Sequence, residues 1–168
     1  MFDIGSLLIY DTTGVCRVLD IGVPEGLPVA NKGKKYYKLS PVFGSGTIYI
    51  PVDTKVFMRP VISKEEAEAL VRKIPEIRED ICESHNLKVL EDHYKASLMT
   101  HECEGLVQLI KTVYTKKKNL EKNGKRTGKA DQQYMKRAKQ LLYEELSIAL
   151  GIPVAEVEDY ITRVVEGC

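Results

Sequence analysis

The spacing of apolar residues changes once along this chain, near residue 60, and that change limits the fold more than any other feature. Before it, short runs alternate with a period of two and are broken by glycine and proline: Leu7–Tyr10, Val15–Ile21, Lys35–Leu39 and Thr47–Val52. Alternation of this kind marks β-strands with one face buried. In Thr47-Ile48-Tyr49-Ile50-Pro51-Val52 the residues Ile48, Ile50 and Val52 share one face and Tyr49 takes the other. Pro51 has no N–H for a ladder, so this strand is expected at a sheet edge or to end there. A fifth short strand is expected around Phe57–Arg59.

After residue 60 the period becomes helical. Ser63-Lys64-Glu65-Glu66 has the form of a capping box, with Ser63 as N-cap and Glu66 reaching back to it. Leu87, Leu90, Tyr94 and Leu98 form one stripe, and Leu106, Leu109, Ile110 and Val113 a second, in a helix that Lys117 and Leu120 extend. Tyr134, Ala138, Leu141, Leu142, Leu146 and Ala149 make a third stripe, stopped by Gly151. A last helix opens at Pro153 with Val154, Val157, Ile161 and Val164 inward. The fold class is therefore α+β, all-β and then all-α. A small SH3- or Tudor-like antiparallel β-barrel over residues 1–60 precedes a helical bundle over 61–168. An exposed strand edge invites pairing, so the chain is read as a monomer with a strand-swapped dimer as the alternative.

The net charge of +1 conceals strong segregation. Residues 111–139 hold eleven Lys/Arg against two Asp/Glu, while residues 61–110 hold six against eleven and residues 140–168 one against six. The basic stretch flanks the turn Asn123-Gly124-Lys125-Arg126-Thr127-Gly128 and includes Lys111, Lys116, Lys117, Lys118, Lys122, Lys129, Lys136, Arg137 and Lys139. Such a field suits a polyanionic partner, and a solvated lysine-rich hairpin is the plain alternative. About four phosphate contacts would give a log–log salt slope of about −3.6. Lysine, which predominates here, suits phosphate better than base edges, so DNA binding from this stretch is expected to be non-sequence-specific.

Nothing in the sequence points to catalysis, and no cofactor is expected. His85, His93 and His101 have no zinc-ligand spacing, so no metal is expected. Gly124-Lys125-Arg126-Thr127-Gly128-Lys129-Ala130 fails as a phosphate loop. Its glycines are one residue too close, Ala130 replaces the Ser/Thr, and a helix precedes it. Cys16, Cys82, Cys103 and Cys168 form no C-x-x-C pair and read as thiols of a reducing compartment. With no basic n-region and an apolar run of only Leu7–Tyr10 near the start, a cytoplasmic protein without a membrane partner is expected.

Several segments, in order, resemble the CarD-like transcriptional regulators, whose N-terminal module is similar to the RNA-polymerase-interacting domain of transcription-repair coupling factor. They are Phe2–Gly5, Ile9–Val15, Tyr36–Leu39, Thr47–Val52, Tyr94–Leu98 and Met135–Leu146. The resemblance implies that the barrel binds the bacterial RNA polymerase β subunit through an edge strand, Thr47, Ile48, Tyr49, Ile50 and Pro51. It implies that the helices contact promoter DNA at the upstream edge of the transcription bubble, regulating initiation. On that reading Leu90 and Lys95 contact DNA, and the charge of the basic stretch adds Lys125, Arg126, Lys129, Lys136 and Arg137 as candidates. Relatives carry a minor-groove tryptophan where Leu90 stands. Leu90 is thus either a wedge or a buried member of the Leu87–Leu98 stripe, and Lys95 either a backbone contact or a solvated lysine. Glu91 and Asp92 follow where relatives tend to be basic. Two alternatives stay open: a polymerase-binding module without DNA binding, and a non-specific nucleic-acid-binding domain unrelated to polymerase.

Overall fold

The structure is a computed structural model and describes residues 2–24, 33–84 and 86–167. Met1, residues 25–32, His85 and Cys168 lie outside the described residues. The chain divides into two compact units, Met1–Val61 and Ile62–Cys168.

The first unit is an antiparallel sheet of β1 (Leu7–Tyr10), β2 (Gly14–Gly22), β3 (Tyr36–Pro41), β4 (Ile48–Pro51) and β5 (Met58–Pro60). The strand order is β4-β3-β2-β1-β5. The sheet is not closed into the expected barrel, because β4 and β5 are its two edges and do not pair with each other. Both are short and end in proline, whose missing N–H limits further ladder bonding. A register shift between Val18 and Asp20 places Leu19 in a bulge. One face buries Leu8, Cys16, Val18, Tyr37, Leu39 and Ile50. The Tyr37 hydroxyl accepts the Phe2 N–H at 3.1 Å, and the two rings meet edge-on. Ile48 and Val52 pack against this core and Tyr49 lies on the other face, as the alternation predicts.

The second unit contains α1 (Lys64–Lys73), a short 3-10 turn (Ile74–Glu76), α2 (Leu87–Leu98), α3 (Cys103–Lys122), α4 (Lys129–Leu150) and α5 (Val154–Glu166). Helix α4 packs against all four others. The capping box at Ser63 forms, with Ser63 Oγ accepting from Glu66 N–H and Glu66 Oε1 from Ser63 N–H, each at 3.1 Å. Gly151 ends α4 at φ 70°, a left-handed value that glycine adopts without strain. The stripes predicted on α3, α4 and α5 face the core, which holds Leu106, Leu109, Val113, Ala138, Leu142, Leu146 and Val157. The α2 stripe needs correction. Tyr94 is buried and Leu90 and Leu98 pack against the core, but Leu87, in the first turn, is 60% exposed. His101 does not share the helix of His93, because α2 ends at Leu98 and His101 has φ 56°. Among the described residues no helix is long and apolar enough to cross a membrane.

Candidate functional site

The edge strand β4 pairs only with β3, in the register Tyr36↔Pro51, Tyr37↔Ile50, Lys38↔Tyr49 and Leu39↔Ile48. Antiparallel pairs alternate between those that exchange both N–H···O bonds and those that exchange none. The Val52 N–H donates to Lys35 O at 3.1 Å, which sets the phase. Ile50 and Ile48 therefore bond inward to Tyr37 and Leu39, and Tyr49 and Pro51 direct their backbone groups away from β3. The phase suits the sequence, since Pro51 falls where no inward donor is needed. Its outward carbonyl accepts the Thr54 N–H at 3.0 Å. That leaves Tyr49 as the one residue within β4 whose outward N–H and C=O both lack a partner among the described residues. Thr47 is exposed just before the strand.

The other edge follows the same pattern, with Met58 in the place of Tyr49 and Pro60 in that of Pro51. Asp11 N–H donates to Phe57 O at 2.9 Å, so Met58 and Pro60 face outward from β5. Pro60 has no N–H, and its carbonyl accepts Arg59 Nη1 at 3.1 Å. Sequence alone could not show this, because it depends on β5 pairing with β1.

The helical unit sorts the predicted cations by position and partner. Lys125 and Arg126 are exposed in the α3–α4 turn, Lys129 begins α4, and Lys136 and Arg137 follow about two turns along it. Lys95 is exposed on a separate helix, α2. Leu90, packed against the core, is closer to the buried alternative than to a free wedge. Arg137 Nη1 donates to Gln140 Oε1 at 3.2 Å.

Two lysines of the basic stretch are engaged inside the unit. Lys111 Nζ donates to Ile74 O at 2.9 Å and Ile77 O at 2.5 Å, tying the end of α1 to α3. Lys116 Nζ pairs with Asp131 Oδ1 at 2.9 Å. Asp131 is 2% exposed; its Oδ1 also accepts the Tyr94 hydroxyl, and its Oδ2 accepts the Gly128 N–H at 3.0 Å. One carboxylate thus caps α4 and links it to α2 and α3, where a helix N-terminus favours negative charge. Burial, with the bond to Asp131 second, pushes the Tyr94 pKa up. A second buried carboxylate, Glu145, accepts the Ile62 N–H at 3.0 Å and the Cys103 thiol at 3.3 Å. The sequence reading missed both. Their signal was faint: a polar residue inside or beside an apolar stripe reads as surface until its partners are known.

Among the described residues, no group of three or more His, Cys, Asp or Glu converges to hold a metal. The arrangement offers a backbone edge and a set of exposed cations.

Residues 2–62 match the family model of the CarD-like/TRCF RID domain. The match spans the sheet unit and none of helices α1–α5. No curated protein matches the chain.

Proposed function

We propose that this chain, whose residues 2–62 belong to the CarD-like family of RNA-polymerase-interacting domains, is a non-catalytic regulator of transcription initiation. The sheet unit docks on the polymerase β subunit by adding β4 to an edge of the partner's sheet. The helical unit contacts promoter DNA through phosphate, without reading sequence. The protein works in the cytoplasm beside the nucleoid and needs no cofactor.

The observation that carries the docking reading is the backbone of Tyr49. Its outward N–H and C=O form a complete station for an incoming strand. Ile48 and Ile50 are held inward by the core, so the strand is fixed in place before the partner arrives. The cations Lys125, Arg126, Lys129 and Lys136, on one helical hairpin, support the DNA reading. Leu90 contributes more to the core than to a wedge, so the affinity is assigned to charge.

The test uses the full chain, mixed with core RNA polymerase and separately with the isolated lobe of its β subunit. Binding to both is expected at micromolar concentration or below. Binding to the core enzyme alone would move the docking site to another subunit, and binding to neither would refute the reading.

A further inference from the structure

The lysines of the basic stretch are not equivalent, and the difference is geometric. Lys111 and Lys116 are spent on Ile74, Ile77 and Asp131. Lys117 on α3 and Lys136 and Lys139 on α4 have no hydrogen-bond or ion-pair partner among the described residues. These three line one groove between α3 and α4, of about 360 Å³. Its other lining residues are Val113, Met135, Thr127 and Gln132, and no carboxylate is among them.

The spacing explains the groove. On α4, Gln132, Met135, Lys136 and Lys139 fall at i, i+3, i+4 and i+7, one face of the helix; on α3, Val113 and Lys117 fall at i and i+4. Half-buried Met135 supplies apolar surface between the cationic walls, while Val113, 1% exposed, belongs to the core. Near the turn, Gln132 Nε2 lies 3.4 Å from both Thr127 O and Thr127 Oγ1. Three ammonium groups without counter-charge beside an apolar floor fit a chain that carries repeated negative charge and apolar sugar or base surface together.

We infer that the α3–α4 groove seats one phosphodiester strand of DNA, with Lys117, Lys136 and Lys139 on successive phosphates and Met135 against sugar or base. The inference rests on the DNA-contact reading above. It adds Lys117 and Lys139 to the contacts and makes the groove, not the α2 face, the place where the strand lies. A lysine contact is indifferent to sequence, so the groove fixes position without specificity.

The test is a salt titration of the full chain with a fluorescein-labelled duplex of arbitrary sequence between 50 and 200 mM salt. Three phosphate contacts contribute about −2.7 to the log–log slope, or about 40-fold in affinity over that range. The triple variant Lys117→Gln, Lys136→Gln, Lys139→Gln should lose that increment. A charge-matched control, Lys64→Gln, Arg72→Gln, Arg163→Gln, should keep it, and circular dichroism checks that both remain folded. Equal losses in the two variants would reduce the effect to net charge and overturn the groove. A wild-type slope in the groove variant would overturn it while leaving DNA binding by other residues intact. If the wild-type chain shows no salt-dependent binding, the DNA reading itself fails and the groove with it.

Discussion

Replacing Tyr49 by proline removes one donor from β4 at a point where the sheet itself does not use it. Tyr49 stands opposite Lys38 in a pair that exchanges no backbone bonds, so Tyr49→Pro leaves the inward bonds of Ile48 and Ile50 to β3 in place. The extended backbone of an edge strand tolerates proline's fixed φ. The change acts on the outward side, where the N–H is gone and the pyrrolidine ring stands in the path of an incoming strand. Loss of the N–H bond costs about 1 kcal/mol, and the neighbouring bond to Tyr49 C=O, which the ring holds off, about as much again. The sum of about 2 kcal/mol corresponds to about a 30-fold rise in Kd for the polymerase β-lobe. Calorimetric titration of the full chain reads this directly. Tyr49→Ala keeps the N–H and separates the side chain's share, and the thermal midpoint of each variant checks the fold. Affinity of Tyr49→Pro within twofold of wild type, with the midpoint unchanged, would refute β4 pairing as the mode of docking.

Other consequences follow from the helical unit. Asp131→Ala strands the Tyr94 hydroxyl, Lys116 and the Gly128 N–H together, and should cost about 3–5 kcal/mol in urea unfolding; Asp131→Asn, which keeps the shape, should cost less. Gly105→Ala should destabilise α3 although alanine is the better helix former by about 1 kcal/mol. An added β-carbon would lie 2.6 Å from Ser97 O, so a melting midpoint at or above wild type would contradict the close approach of α2's end to α3. Burial raises the pKa of Tyr94 and raises that of Tyr143 to about 12. A raised folded-state pKa contributes stability that is complete below the unfolded tyrosine value of about 10 and is lost above it. The unfolding midpoint should therefore fall as pH rises from about 10 toward 12, and absorbance titration should show these two phenols ionising last. Burial likewise raises the Cys16 thiol to about 11. With Cys16 and Cys103 buried and Cys82 half-exposed, peptide mapping after alkylation should find Cys82 labelled ahead of the other two.

Much of the architecture is local and so could be read from the residues in order. The period of two in Thr47–Val52 and the period of 3.6 in Tyr134–Ala149 each follow from backbone geometry within a few residues. The caps at Ser63 and Gly151 are set by side chains or glycine within one turn. The α+β class, the strand at Thr47–Val52 and the placement of Lys125, Arg126 and Lys129 at a helix–helix turn were determined at that level. What the sequence left open depends on which distant elements meet. The pairing of β5 with β1 keeps the sheet open and leaves β4 as an edge. The phase of the β3–β4 ladder, visible only once Lys35 faces Val52, singles out Tyr49 from its neighbours. The crossing of α2, α3 and α4 buries Asp131 and consumes Lys116, while leaving Lys117, Lys136 and Lys139 around a groove. A lysine's charge is a property of the residue, but whether that charge is already neutralised is a property of its neighbours, and only the tertiary structure brings those neighbours together.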